Sequence, residues 1–349
     1  MRSRLHLLLL ILATMPLRGQ AGEDYLNAPD RIEWTGGALY DGQFTDGTRF
    51  QMELGYQYPP ERGGAAGTKF HSSYWYPKFY QGTRIWLGGF EYAGNPMRLL
   101  RSVAAECNCT RDDEFFTLDL APDMATGQGQ WTSVSLDKAL DFTLQRTIVY
   151  KSVLVRRPFR NRSTQREEAG FPFEFSAVFP VVGDATVDAW IREQAQSCEY
   201  DRNCLNRIRV TWKSDTLLSI DASVWGYSND ALHSEGVERT RHYRIEDGHF
   251  VPLDFASFVK PDRACRTRLS KAIVKTLRAR KVPWAAKAAL KEGREPAFTA
   301  TPTGFAFHFN DSDVNGGADD EPTAFVPLAP DDPCVRFLPT YDERWVANQ

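Results

Sequence analysis

The sequence has almost no net charge: 42 Lys and Arg stand against 45 Asp and Glu, a formal charge of −3 over 349 residues. A protein that grips nucleic acid by its phosphates carries a basic surplus, so no nucleic-acid partner is expected, and no general electrostatic hold on an anionic membrane either. None of the six cysteines falls in a Cys-x-x-Cys spacing, which removes the usual zinc-thiolate pattern. The His-Glu-x-x-His metalloprotease signature, the phosphate-binding loop and the dinucleotide fingerprint are also missing. Ser228, in Gly226-Tyr227-Ser228-Asn229, lacks the second glycine of a nucleophile elbow. No catalytic constellation is left, and no cofactor is expected.

What is present begins at the N-terminus. Arg2 and Arg4 precede an apolar run from Leu5 to Met15, and the small residues Gly19 and Ala21 bracket a cut before Gly22. That order reads as a cleavable signal peptide over residues 1–21, which sends the mature chain to the periplasm or beyond. An uncleaved anchor asks for about 20 apolar residues, whereas this run is interrupted by His6 and stops near Pro16. No cysteine lies near the cut to accept a lipid, so no stable membrane insertion is expected after cleavage.

In an exported chain an even number of cysteines argues for disulfides. Cys198 and Cys204 flank a short polar loop, and Cys265 and Cys334 remain as a long-range pair. Cys107 and Cys109 enclose one residue, a loop that strains bridge geometry.

Along the mature chain, residues 22–155 carry alternating apolar and aromatic runs broken by Asp-Gly and Gly-rich turns, the texture of an antiparallel β meander or small barrel. Residues 156–169, with Arg156, Arg157, Arg160, Arg162 and Arg166, read as a basic, solvated linker. Residues 170–345 mix strands with helical periodicity. Val187, Ile191 and Ala195 follow a capping Asp184, and Cys265, Leu269, Ile273 and Leu277 follow a capping Asp262. The expected class is α+β: a β meander or barrel, then an α+β module with two to three helices on a mixed or antiparallel sheet.

Within residues 170–339 a set of motifs stands in a particular order. Leu218-Ser219-Ile220, Trp225-Gly226-Tyr227, His233, Tyr243 and Glu246-Asp247-Gly248-His249 lead to Val251-Pro252-Leu253-Asp254-Phe255 and, last, Phe325-Val326-Pro327-Leu328. In this the chain resembles an exported bacterial domain of unknown function, found in the outer portion of the lysozyme-sensing anti-sigma factor and beside some peptidoglycan deacetylase domains. The resemblance implies an accessory or recognition module of the cell envelope, with binding of a host-defence lysozyme as one role in the family, and it implies no reaction. It departs at Asp230-Ala231-Leu232-His233, where the histidine matches but both glycines of the family turn are lost.

The candidate ligand-binding residues are His233, Tyr227 and Trp225, for a protein or glycan ligand in the envelope. His233 with a nearby carboxylate is also the basis of the rival reading, a cell-wall-directed hydrolase. A glycan-stacking face on Tyr74, Trp75, Tyr76, Phe79, Tyr80 and Trp86 competes with their use as core. Asp311, Asp313, Asn315 and Asp319 follow the order of a calcium loop, but Pro322 stands where a bidentate glutamate belongs, and an acidic turn accounts for the same residues.

Overall fold

The computed structural model describes residues 24–55, 69–75, 85–90, 97–104, 107–158, 173–198, 203–227, 235–290, 296–309 and 322–339. The expected signal peptide lies outside them. Eight strands come first: β1 (Ile32–Phe44), β2 (Arg49–Gly55), β3 (Lys69–Trp75), β4 (Ile85–Phe90), β5 (Met97–Ala104), β6 (Cys107–Leu120), β7 (Thr126–Ser133) and β8 (Lys138–Arg157). Each pairs antiparallel with the next, and β1 also pairs with β8, so the eight close into a ring. The alternate side chains that point inward form one core: Ala38, Tyr40, Phe44, Phe50, Met52, Phe116, Leu118, Trp131, Phe142 and Leu144 with their neighbours. Space for its rings comes from glycine. A Cβ on Gly42 would collide with the Phe50 ring, and one on Gly129 would approach Phe142 Cζ to 2.9 Å. Phe44, Phe50 and Phe142 meet in stacked and edge-to-face contacts with centroids 4.4 to 6.0 Å apart, the separations that aromatic pairs favour. The outward positions of β7 and β8 carry Gln, Thr and Asp, the reverse of the apolar band on a lipid-facing barrel.

The sheet does not end with the ring. β9 (Phe173–Val181) pairs with the second half of β8, and β10 (Asn203–Lys213), β11 (Leu217–Tyr227), β12 (Glu235–Glu246) and β13 (His249–Leu253) extend it to 13 strands. All these pairings are antiparallel except β9 with β10, which are parallel and joined through helix α1 (Ala185–Gln196). Asp184 accepts hydrogen bonds from the Thr186 and Val187 amides, capping α1 as its position implied. The β12–β13 turn places Asp247 at φ 49° and Gly248 at φ 79°, the pair of positive values that a two-residue type I′ hairpin requires.

Helical segments and a second sheet follow. After α2 (Phe255–Phe258), α3 (Arg263–Ala279) buries Cys265, Leu269, Ile273 and Leu277, and Asp262 caps it at the Cys265 amide. Strands β14 (Ala297–Thr301), β15 (Gly304–His308) and β16 (Thr323–Pro327) form a separate antiparallel sheet. Cys198–Cys204 and Cys265–Cys334 are both disulfides, with Cα–Cα distances of 5.7 and 5.4 Å. Cys265–Cys334 closes a loop of 69 residues, worth about 4 kcal/mol in the loop-entropy account. The side chains of Cys107 and Cys109 lie outside the described set. Among the described residues no helix is long and apolar enough to cross a membrane.

This architecture corrects the expected fold class. The described chain is mostly β, with a large mixed sheet and three α-helices among the described residues, rather than a β domain followed by an α+β module. The physical reason lies in β8, which runs through Arg157 and so carries main-chain pairing to where the arginine-rich stretch begins. Within β8, Thr147 is the extra residue of a bulge: Tyr40 faces Arg146, yet Leu39 faces Ile148. One inserted residue turns every later side chain to the opposite face. Phe142 and Leu144 therefore enter the ring, whereas Ile148 and Tyr150 join Leu39 in a second core with α1 and the later strands.

Tyr150 also fastens that second core to the ring. Its hydroxyl donates to Glu53 Oε2 at 3.0 Å and accepts from the Val210 amide at 3.1 Å, with Tyr150 and Glu53 both buried. Beyond Arg207, β10 has left its partner β9, and the Gln51 amide donates to the Lys213 carbonyl at 3.3 Å on that same edge. Side chains of the ring thus satisfy a strand edge of the second half. Tyr150→Phe removes both bonds while keeping the ring volume. It is expected to lower urea-unfolding stability by about 2 kcal/mol, and an unchanged denaturation midpoint would contradict this coupling.

Candidate functional site

The outer face of the ring carries a polar recess. Strand β7 reads Thr126-Gly127-Gln128-Gly129-Gln130, with glycines toward the core and amides outward. The same phase in β8 sets Phe142 and Leu144 inward and Asp141, Thr143 and Gln145 outward. Strand register then lines up one row across five strands: Arg49, Gln43, Thr143, Gln128 and Asp119 are successive cross-strand partners. A row on one side holds Asp41, Gln145 and Thr126, and a row on the other holds Thr117, Gln130 and Asp141. Neighbouring rows on one face stand about 7 Å apart and neighbouring strands about 4.8 Å. Two hollows of about 740 and 840 Å³ lie over this face and share Gln43, Asp119, Gln128 and Thr143.

The furrow is an array of amides, hydroxyls and carboxylates. Gln130 Nε2 donates to Asp141 Oδ1 at 2.9 Å, and Gln51 Nε2 donates to Asp41 Oδ1 at 2.8 Å, which orients both carboxylates. Gln128 and Thr143 at its centre are exposed and, among the described residues, hold no side-chain hydrogen-bond partner, so their donors and acceptors face outward for a ligand. Among the described residues no histidine, cysteine or serine lines it. Such a surface can exchange hydrogen bonds with a hydroxyl-rich molecule.

A serine and histidine in contact lie elsewhere. Ser219 and His242 face each other across β11 and β12, with Ser219 Oγ 2.9 Å from His242 Nδ1. Both are buried. The imidazole is enclosed by Phe298 and Phe258, at centroid distances of 4.2 and 5.0 Å. The pair belongs to a polar layer between β10–β12 and the small sheet, with the buried Arg209–Asp221 ion pair and the Thr240 hydroxyl that accepts from the Phe298 amide. It holds two sheets together and is closed to any substrate.

Of the residues singled out in the sequence, Trp225 is half-buried on β11 with its indole N–H donated to Ser223. Tyr227 ends that strand, and its side chain lies outside the described set, as do His233 and the Asp311, Asp313, Asn315 and Asp319 loop. Of the other histidines, His242 pairs with Leu253 inside the sheet while His249 is exposed beside the turn. Among the described residues no three acidic, histidine or cysteine side chains gather as metal ligands do. The furrow was missed by sequence reasoning. Its signal was the strict alternation of Gly with Thr or Gln in β7, where a strand lined inside by large rings needs small partners opposite.

The buried His242 has a measurable consequence. Burial foremost, with the charge of His308, holds its pKa far below the usual 6.5, at about 3. Below pH 6.5 the unfolded chain takes up a proton that the folded chain refuses until about pH 3, so stability falls as pH falls through that window. The slope from this one group reaches about 1.4 kcal/mol per pH unit. Chemical denaturation of His242→Gln between pH 7 and 4 should show a shallower acid loss than the parent, and parallel profiles would contradict it.

No protein-family model matches the chain, and no curated relative does. Solved structures similar to it include a member of the DUF3298 family from Bacteroides fragilis, at 12% identity and a TM-score of 0.35, covering 54% of this chain and 93% of that one. A DUF3298 family protein from Pseudomonas aeruginosa is similar at 12% identity and a TM-score of 0.36, covering 51% and 89%. These structural neighbours are bacterial proteins of a family of unknown function, and neither is described as an anti-sigma factor.

Proposed function

We propose that this chain is an exported, non-catalytic module of the cell envelope that binds a glycan through the furrow on the outer face of the ring. The observation that carries the reading is the cross-strand row Gln43, Thr143, Gln128 and Asp119, open over two hollows and unpartnered at its centre. Planar amides and carboxylates each offer two hydrogen-bonding positions, which suits the vicinal hydroxyls of a sugar, and the flanking rows lengthen the surface for a second residue. A protein ligand would want an apolar anchor at the centre of such a face. Export is supported by the basic, apolar and small-residue order of residues 1–21 and by two disulfides in the folded chain.

Soluble peptidoglycan fragments titrated into the protein by calorimetry are expected to give saturable heat. Replacing Gln128 and Thr143 together by Ala should weaken that affinity at least tenfold with no change in melting temperature, because both side chains point to solvent. No heat with the parent protein, or equal affinity in the double variant, would overturn the proposal.

A further inference from the structure

Charge of one sign is concentrated on α3. This helix carries Arg263, Arg266, Arg268, Lys271, Lys275 and Arg278 and no acidic residue, in a protein whose net charge is −3. Its apolar stripe, Cys265, Leu269, Ile273 and Leu277, is buried, so the cations fall on the open side, where Arg268, Lys271, Lys275 and Arg278 follow one another at three- and four-residue spacing. Like charges at that spacing destabilise a helix. Arg263, Arg266 and Arg268 stand near the N-terminal end, where the macrodipole disfavours cations. Neither helix stability nor internal pairing explains the pattern. Asp332 pairs with Arg268, but among the described residues Arg263, Lys271, Lys275 and Arg278 have no acidic partner.

We infer that the exposed face of α3 is a second binding surface, independent of the furrow, for a linear phosphate-bearing polyanion. Four features fit that occupant. The cations run in a line, and from Arg263 to Arg278 they cover about 22 Å at 1.5 Å per residue. They recur about every helical turn, so successive phosphates of an extended chain meet successive charges. The small residues Ala264 and Thr267 leave an open depression of about 540 Å³ beside Arg263, Arg268 and Lys271, where a chain can lie close to the helix. The exposed face bears no large apolar or aromatic side chain to enter a bilayer, because the apolar stripe of α3 is spent on the core. A soluble polymer therefore suits it better than an anionic membrane. The hold is electrostatic and falls steeply with salt, in proportion to the phosphates neutralised.

The test uses the full mature chain, long-chain inorganic polyphosphate as the probe, and fluorescence anisotropy at several salt concentrations. The parent protein is expected to bind, with affinity falling as salt rises. Lys271→Glu with Lys275→Glu should weaken binding at least tenfold and flatten the salt dependence, while Lys138→Glu, on the β7–β8 hairpin, should leave it unchanged. Should the reversal variant not fold, Lys271→Gln with Lys275→Gln serves instead, and its melting temperature should equal or exceed the parent's because repulsion is removed. No binding by the parent, equal binding by the variants, or capture by phosphatidylglycerol vesicles in preference to the polymer would overturn the inference. The glycan titration reads a different face and a ligand without phosphate, so either result stands without the other.

Discussion

Main-chain hydrogen bonding along β8 is the constraint on which the rest depends. A strand has two edges, and β8 divides one of them between β7 and β9 while β1 occupies the other. The ring therefore closes only if β8 is in place, and the later strands have an edge to build on only if the ring is closed. The bulge at Thr147, whose hydroxyl donates to the Leu39 carbonyl at 3.2 Å, lets one strand serve two cores by turning its faces over midway. Remove the extra residue, and either the phenylalanines of the first core or the Ile148 and Tyr150 pair of the second faces the wrong way.

Polar groups sit where the layers meet instead of being excluded from them. Glu53, Tyr150 and the Val210 amide join ring to second core, and Arg209, Asp221, Ser219 and His242 lie beneath the small sheet. Each gains orientation at some cost in solvation, and breaking one partner leaves the other stranded. Such layers fix one way of stacking the sheets, which an all-apolar interface leaves freer. The functional surfaces are then the parts these layers do not use: the amide rows outside the ring and the cationic side of α3.

How much of this was legible in the sequence depended on how local the signal was. The caps at Asp184 and Asp262, the four-residue spacing of Cys265, Leu269, Ile273 and Leu277, the Asp247-Gly248 turn and the Cys198–Cys204 and Cys265–Cys334 pairs each rest on a few neighbouring residues, and all are present. The fold class was not legible, because sheet continuity is carried by backbone amides and leaves no mark on side chains. The arginines from Arg156 onward looked like a linker, yet Arg156 and Arg157 end a 20-residue strand and pair with Glu174 and Asp30. The furrow was hidden for a related reason: Gln43, Thr143, Gln128 and Asp119 come from four separate segments, and only register brings them into one row.

The central claim is that one continuous sheet makes ring and second half a single cooperative unit. Native-state hydrogen exchange, read by mass spectrometry under slow-opening conditions, tests it on peptides from residues 138–146, 148–157 and 217–227. The account predicts one common opening free energy for the most protected amides of all three, since losing β8 unpairs β9 and strips Ile148 and Tyr150 from the core that Leu218 and Ile220 of β11 share with them. Two well-separated free energies, with 138–146 and 217–227 opening independently, would contradict it.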